Sequence, residues 1–334
     1  MEKKLFGLIA VLIFFISVFP TYVYAHVKWF TEVIPQKENL DHIISPLFMG
    51  VALISALIIS VLPRLVTLME KSKYVRKIDN KLDSYRKYSR YILKYGTATA
   101  LALQHLSGRL FAPEFPIHNQ TVLIILWIAI ICLFIPHHIF TKIGALIVLG
   151  LFFMLTMEAG IFHMLDYGFY VAIIIVLLVG NTKAENWGFS FLYLATGLSI
   201  CWVAVEKWVY PSMVLDVVYN HGVPTFGFAP ETFVVLCAFI EFVIGYLLVV
   251  GILNRLLGVV VTLMFICTSL LFGMIEVVGH FMIHIILLIF VIEDVSFYNP
   301  PVKYHKTMLN QMIFVFLNYI FVLVTILVIY YRFA

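Results

Sequence analysis

Long apolar runs alternate with short polar connections along most of the chain. A helix that crosses a bilayer needs about 20 predominantly apolar residues, and ten segments approach or exceed that length. They cover residues 44–68, 88–111, 120–136, 139–158, 160–180, 187–211, 231–253, 256–275, 277–293 and 309–331. The pattern therefore predicts an all-α integral membrane protein with about ten transmembrane helices.

The start of the chain has the pattern of a secretory signal peptide over residues 1–25. Lys3 and Lys4 precede an apolar run from residue 5 to 18, and Val23 and Ala25 fit the small-residue positions of a cleavage site. Cleavage there would make His26 the mature N-terminus, on the extracytoplasmic side. An uncleaved helix that anchors the chain is the alternative.

Basic residues predict the orientation of the helices. Nine of the 22 Lys and Arg side chains lie between Lys71 and Lys94, whereas the connection 212–231 contains none. Cytoplasmic loops of membrane proteins retain Lys and Arg, so the first segment is expected inside and the second outside. We therefore expect a multi-pass protein of the cell membrane.

Composition supports this class and excludes others. Hydrophobic residues make up 63% of the 334 residues and charged residues 12%, against roughly a quarter charged in soluble domains. The net charge of +4 reflects the basic segment, so it indicates membrane orientation and the bilayer as partner, not nucleic acid. Motifs for nucleotide binding are lacking in the sequence, so a redox reaction would need a protein partner or a lipid-soluble carrier.

Two stretches, 88–181 and 182–294, have the character of copies of one four-helix unit. The opening helix of each ends in a basic residue with a proline four positions later, Arg109 with Pro113 and Lys207 with Pro211. In this alignment Glu158 corresponds to Glu276, and Asp166 corresponds to His284. We call these the first and second units; residues 26–87 and 295–334 flank them.

The second unit resembles the DoxX-like family of four-helix membrane proteins, to which the DoxD subunit of thiosulfate:quinone oxidoreductase is related. The resemblance rests on Glu206-Lys207-Trp208 with Pro211, on Glu241-x3-Gly245, and on Gly251-x3-Arg255-x2-Gly258. The first unit is more diverged, with Gly108-Arg109 in place of Glu206-Lys207. The resemblance implies two tandem four-helix bundles and an association with quinone or sulfur redox chemistry, with Glu206, Lys207 and Trp208 as cofactor-binding candidates.

Ionisable side chains inside membrane helices are costly and are candidates for function. Glu276, His280 and His284 follow one another at intervals of four residues, so they share one helix face. The outer two would be about 12 Å apart, too far to bind one metal ion together. Together with Glu241, which we expect near the middle of the membrane, they are the candidate catalytic set. A proton relay for a quinone, a metal site and a set of structural hydrogen bonds are the interpretations left open.

A metal site would need ligands from several segments. Glu158, His163 and Asp166 could complete one with the Glu276 face. A mature N-terminal His26 could bind copper through its amine and its imidazole. That copper site would need a second histidine from the outer side, for which the candidates are His42, His105 and His221.

The sequence leads to one functional hypothesis and two alternatives. The hypothesis is a membrane subunit of a quinone-linked extracytoplasmic redox system that acts with a redox or substrate-binding partner and oxidises a sulfur compound. The first alternative is a protein that binds or transports copper or another divalent ion. The second is a membrane scaffold without catalytic activity.

Overall fold

The computed structural model describes residues 27–69, 72–293 and 307–334. The predicted signal peptide and His26 lie outside these residues. The described helices are α1 (Leu40–Ile43), α2 (Pro46–Met69), α3 (Lys73–Asp83), α4 (Ser89–Leu106), α5 (Gln120–Phe134), α6 (His138–Ala159), α7 (Ile161–Met164), α8 (Phe169–Val179), α9 (Glu185–Val209), α10 (Pro211–Asn220), α11 (Pro230–Val250), α12 (Asn254–Phe272), α13 (Met274–Glu293) and α14 (Met308–Phe333).

Six helices of the described ranges are long and apolar enough to cross a membrane. They are α6, α9 from Trp187, α11, α12, α13 and α14. A seventh span arises if Ile161–Tyr167 and α8, which meet at an angle of 66°, are counted as one. The all-α class is confirmed, and a multi-pass membrane protein is supported in outline. The count of ten spans stays a prediction, because the apolar parts of α2 and α5 are shorter.

The outer surface of the helices is apolar, as lipid contact requires. Phe153, Met157, Leu270 and Phe321 each expose more than half of their surface. Soluble monomers rarely expose apolar area on this scale, so these side chains are expected to face acyl chains.

The last helix of each predicted unit packs against the first helix of the other unit. Helix α8 packs against α9, and α13 packs against α4. Within the units, α4 contacts α5, α5 contacts α6 and α6 contacts α8, while α9 contacts α11 and α12 contacts α13. Outside both units, α2 and α14 pack against each other.

The turn before the last helix of each unit contains a glycine with positive φ, Gly160 at 91° and Gly273 at 73°. This pairs the start of α7 with the start of α13. When the two units are aligned on Gly160 and Gly273, the predicted correspondence of Glu158 with Glu276 fails. Glu158 precedes its glycine and is exposed, whereas Glu276 follows its glycine and is buried.

Helix α4 ends five residues earlier than the predicted span 88–111. Gly108 and Phe111 both have positive φ, and the chain forms a short antiparallel hairpin of β1 (Arg109–Leu110) and β2 (Ala112–Pro116). The Arg109 guanidinium donates to the Pro113 carbonyl at 2.6 Å, which fixes the hairpin.

The predicted polar connection 212–231 contains a helix, α10. Pro211 occupies its first turn, where a proline has no hydrogen bond to lose. Met213, Val214, Val217 and Val218 repeat at helical spacing and are buried together with Phe233, Val234 and Cys237 of α11. The first nine residues of this connection, 212–220, are therefore helical.

Two ends of the bundle are distinguished by their charges. The basic end contains α3, Lys87, Lys94 and Lys142, and it includes Arg255, which forms ion pairs with Asp79 and with Asp83 of α3. The opposite end, which we call the Lys28 end, contains residues 27–43, the hairpin and α10.

Candidate functional site

A buried ion pair network lies at the Lys28 end. The Lys28 ammonium is 2.6 Å from the Asp166 carboxylate and 2.7 Å from the Glu206 carboxylate. The Tyr330 hydroxyl donates to Glu206 at 3.1 Å. Asp166 and Glu206 are buried, and Lys28 shows 14% of its side chain. We call Lys28, Asp166, Glu206 and Tyr330 the Lys28 cluster; it joins four distant parts of the chain.

Local backbone structure brings these groups together. Asp166 lies in a 3-10 turn, Leu165–Tyr167, at the bend between α7 and α8, and Glu206 lies in the last turn of α9. Lys28 lies in a second 3-10 turn, Val27–Trp29. The next residue, Trp29, donates from its indole nitrogen to the Tyr167 hydroxyl at 3.0 Å, which ties the two turns together.

Opposite charge holds Lys28 in its ionised form. Burial alone would lower the pKa of the Lys28 ammonium, but the charges and hydrogen bonds of Asp166 and Glu206 outweigh burial and raise that pKa. Lys28 therefore stays a cation, and its position between two carboxylates reduces the cost of burying all three groups.

A second polar group, Glu114, lies beside this cluster. The Glu114 carboxylate in β2 accepts a hydrogen bond from the Tyr167 hydroxyl and is 3.1 Å from the His163 imidazole. Burial acts to raise the pKa of Glu114, but the hydrogen bond and charge of His163 and the hydrogen bond of Tyr167 lower it overall. Tyr167 thus links Glu114 to Trp29 and to the turn that holds Asp166.

Glu241 and Lys207 form a buried ion pair in the interior. Lys207 is fully buried although it lies in the last turn of α9. Both groups are buried because α9 and α11 cross closely, where Gly197 and Gly245 carry no side chains to separate them.

Glu276 and His280 are also paired. The Glu276 carboxylate is 2.9 Å from the His280 imidazole nitrogen Nδ1 and accepts a hydrogen bond from the Thr268 hydroxyl at 2.7 Å. The His280 ring stacks on Phe265, with centroids 4.2 Å apart. His284 is half-buried and meets the edge of Phe265 at 6.1 Å, so it lies on the predicted face but outside the pair.

A small cavity connects these groups inside the bundle. Its volume is about 60 Å³, and its polar lining comprises Asp166, Thr196, Ser199, Glu241 and His280. One oxygen each of Asp166, Glu241 and Thr196 is buried without a hydrogen-bond partner. A water molecule needs about 10–15 Å³ and two to four polar partners, so the cavity suits a short chain of water molecules. We call it the inner cavity.

The charges of the buried set do not cancel. It has four carboxyls, two ammonium groups and one imidazole, which belong to Asp166, Glu206, Glu241, Glu276, Lys28, Lys207 and His280. With all carboxyls ionised and His280 neutral, the sum would be −2. An uncompensated buried charge is very costly, so the set is a candidate for proton uptake.

A larger groove opens at the Lys28 end, with a volume of about 490 Å³. Lys28, His163, Glu206 and Tyr330 provide its polar groups. Its apolar and aromatic lining comprises Val33, Pro35, Ile161, Phe162, Tyr210, Met213 and Phe333. This volume lies within the range of about 300–1,000 Å³ that is typical of small-molecule sites. We call it the outer groove.

The predicted site residues thus fall into three groups. Asp166, Glu241 and His280 line the inner cavity, and Glu206 and His163 line the outer groove. Glu276 and Lys207 line neither cavity, but Glu276 pairs with His280 and Lys207 pairs with Glu241. Glu158, His284 and Trp208 line neither cavity, and Trp208 packs on Phe48 and Phe239.

The metal hypothesis gains no geometric support. Among the residues that the structure describes, no three His, Cys, Asp or Glu side chains form a group that could hold a metal ion. His163 pairs with Glu114, and Asp166 pairs with Lys28. Of the candidate partners of His26, His42 pairs with Glu38, His105 packs on Trp127 and His221 contacts Phe30.

Sequence reasoning missed Lys28, Tyr330 and Glu114. Lys28 carried a signal: it is one of few basic residues outside the segments that are predicted to be cytoplasmic, and Lys and Arg are disfavoured there. Tyr330 and Glu114 carried none, because tyrosine is common at helix ends and Glu114 lies in a short polar connection.

Comparison of the chain with protein-family models, with curated proteins and with solved structures gave no match.

Proposed function

We propose that the chain is the membrane subunit of a quinone-linked redox system, with a quinone in the outer groove and a proton path through the inner cavity. The observation that carries the proposal is the outer groove itself. It combines an aromatic and apolar lining with the Lys28 cluster, which offers hydrogen-bond donors and exchangeable protons to a carbonyl oxygen.

The residues of the groove fit a quinone head group. Phe162 and Phe333 have parallel rings with centroids 5.8 Å apart, and both belong to the lining. Ile161 and Phe333 are largely exposed, so a lipid-soluble ligand could enter the groove from the bilayer. A bound quinone would supply two-electron chemistry coupled to the uptake or release of two protons.

The chain's own residues would move those protons. Glu206 and Lys28 lie in the groove, Asp166 contacts Lys28 and also lines the inner cavity, and Glu241 and His280 lie further along that cavity. Carboxylate and imidazole groups of this kind carry protons within membrane proteins. Glu241, Glu276 and His280 therefore act as a proton reservoir in this proposal, not as groups that touch the quinone.

The electron donor belongs to the same proposal. We place the Lys28 end on the extracytoplasmic side, as the distribution of basic residues predicts, and we place a redox partner with a sulfur substrate there, as the DoxX-like resemblance implies. Two tandem DoxX-like bundles are part of the proposal, and the reciprocal packing of α8 on α9 and α13 on α4 supports them.

Quinone binding to the detergent-purified protein tests the proposal. A short-chain benzoquinone titrated into the protein should quench tryptophan fluorescence, because Trp202 stacks on Phe162 with centroids 6.1 Å apart. Glu206→Gln should weaken binding of the reduced quinol about tenfold, because the carboxylate accepts a hydrogen bond from a quinol hydroxyl and hydrogen bonds to charged groups contribute about 1.5–3 kcal/mol. Tyr330→Phe should weaken it less.

Glu231→Gln is the matched control, because Glu231 is an exposed carboxyl at the same end. Equal binding by this variant and Glu206→Gln would contradict the assignment of the groove. Elemental analysis of the same sample addresses the alternative: stoichiometric metal without quinone would favour a metal-handling protein. A sample that contains neither metal nor quinone would favour a scaffold, provided that the Glu206→Gln variant still recruits its protein partner.

A further inference from the structure

A second cavity lies at the basic end, far from the Lys28 cluster along the helices. Its volume is about 470 Å³, and α4, α6, the end of α8 and the connection 135–138 enclose it. Its charged lining comprises Lys87, Arg90, Lys94, Lys142 and Glu185. Four cations and one carboxylate leave an excess of three positive charges. We call it the basic pocket.

The single carboxylate in the lining is already engaged. Glu185 forms an ion pair with Arg90 at 2.7 Å and also accepts a hydrogen bond from the Asn181 amide. Lys87, Lys94 and Lys142 form no ion pair with a carboxylate among the described residues. Three ammonium groups therefore face one cavity without a compensating anion from that part of the chain.

Lys94 gives the pocket a fixed, buried cation. Its side chain is 7% exposed, and its ammonium donates to the Ile135 carbonyl at 2.7 Å at the end of α5. An ammonium has three donors, and the carbonyl accepts from one of them. A buried charge of this kind is costly unless an anion compensates it.

Arg90 is held equally firmly. Its guanidinium donates to the Val176 carbonyl at 2.9 Å and lies against Gly180, where a Cβ atom would overlap it. The exposed rings of His137 and His138 stack at the rim with centroids 4.6 Å apart and offer further donors. Hydrogen bonds thus fix the positions of Arg90 and Lys94, which distinguishes this pocket from a group of exposed surface lysines.

We infer that the basic pocket binds a phosphate-bearing anion, and we take the head group of an anionic phospholipid as its source. Leu177 and Pro136 form an apolar part of the lining, and Phe134 and Phe140 expose apolar surface next to it. Acyl chains could lie on this surface while the phosphate contacts Lys94 and Lys142. Basic pockets between membrane helices bind acidic head groups in this way.

Native mass spectrometry of the full chain with phosphatidylglycerol tests the inference, with phosphatidylcholine as the zwitterionic comparison. Phosphatidylglycerol should bind in preference, and Lys142→Gln should weaken it roughly fivefold, the effect of about one juxtamembrane lysine. Lys94→Gln should weaken it at least as much. Because Lys94 is buried, the half-exposed Lys142 gives the decisive variant, and Lys142→Arg should retain binding.

Lys77→Gln is the matched control: it removes the same charge from an exposed position of α3 outside the pocket. A loss in Lys142→Gln that Lys77→Gln does not share supports the pocket. If inorganic phosphate alone binds, and its binding also depends on Lys142, the result supports the phosphate site and assigns it to a soluble ligand. Equal binding of phosphatidylglycerol by Lys142→Gln and Lys77→Gln overturns the inference, and so does the lack of a preference for phosphatidylglycerol over phosphatidylcholine.

Discussion

Lys28 holds two carboxyl groups that would otherwise repel each other in a buried place. Asp166 and Glu206 are both within 2.7 Å of its ammonium. Removing one partner of a buried ion pair lowers the free energy of unfolding by more than the intact pair contributes to it. The remaining charge is then buried with neither water nor a partner.

Lys28→Met should therefore destabilise the protein by about 3–5 kcal/mol in unfolding with a denaturing detergent. The double variant Lys28→Met/Asp166→Asn should recover part of the loss, because one of the two stranded charges is removed. Lys183→Met is the control, since Lys183 is exposed and its side chain forms no ion pair or hydrogen bond among the described residues. An effect no larger than that of the control would show that the cluster is not a structural tie.

Gly279 provides the space into which the Trp29 ring fits. A Cβ atom at this position would overlap that ring. Gly279→Ala should displace residues 27–38 and cost about 1–3 kcal/mol through overpacking, in spite of the better helix propensity of alanine. Tryptic cleavage after Lys37 should accelerate in the same variant.

Gly50→Ala is the matched control for this change. Gly50 lies in α2 with no atom within 4 Å of its Cβ position, so alanine should be neutral or stabilise by up to about 1 kcal/mol. Unchanged cleavage in Gly279→Ala would mean that Trp29 has room to move.

Single residues were the least predictable part of the site. Asp166, Glu241 and His280 could be identified because an ionisable group in an apolar helix is conspicuous. Their partners could not, because Lys28 is 138 residues from Asp166 along the chain and local patterns contain no information on such distances.

Two elements, α9 and α11, cross closely near the Lys207–Glu241 pair. A Cβ at Gly245 would lie 2.6 Å from the Gly197 carbonyl oxygen and 2.7 Å from Cys201 Sγ. Small residues permit such crossings in membranes, where packing contacts hold helices together.

Gly245→Ala should separate the two helices and destabilise the protein by about 1–3 kcal/mol in the same unfolding assay. Binding of the benzoquinone should change less than stability, since Gly245 lines neither the groove nor the inner cavity. Gly150→Ala in α6 is its control, because nothing lies within 4 Å of that position. Equal stability of the two variants would refute the close crossing.

Most helices were predictable because apolar runs of sufficient length have few alternatives in a bilayer. The exceptions are short elements, namely α3 at the basic end and α10 and the hairpin at the Lys28 end. Helix α10 has only ten residues, and the hairpin depends on positive φ at Phe111, which a non-glycine residue rarely adopts.

The molecule as a whole is polarised between a basic end and an end that contains the outer groove. Arg255 forms ion pairs with Asp79 and Asp83 and so attaches the basic helix α3 to the start of α12. Orientation in the membrane follows from this polarity if the positive-inside rule holds.

Single cysteines can report this orientation. A membrane-impermeant maleimide applied to intact cells should label Thr225→Cys and should not label Lys77→Cys until the cells are permeabilised. The native Cys132, Cys201 and Cys237 are buried, and the partly exposed Cys267 is replaced by alanine in these variants, so background labelling should be low. The opposite pattern would invert the topology and would place the outer groove in the cytoplasm.

The docking of Lys28 also has a consequence for biogenesis. Lys28 precedes the other members of its cluster along the chain: Asp166 lies between α7 and α8, Glu206 lies in α9, and Tyr330, which donates to Glu206, lies in α14. Contacts of such long sequence separation form late. The segment around Lys28 must therefore stay undocked until α9 has been inserted, and the cluster is complete only after α14 has followed.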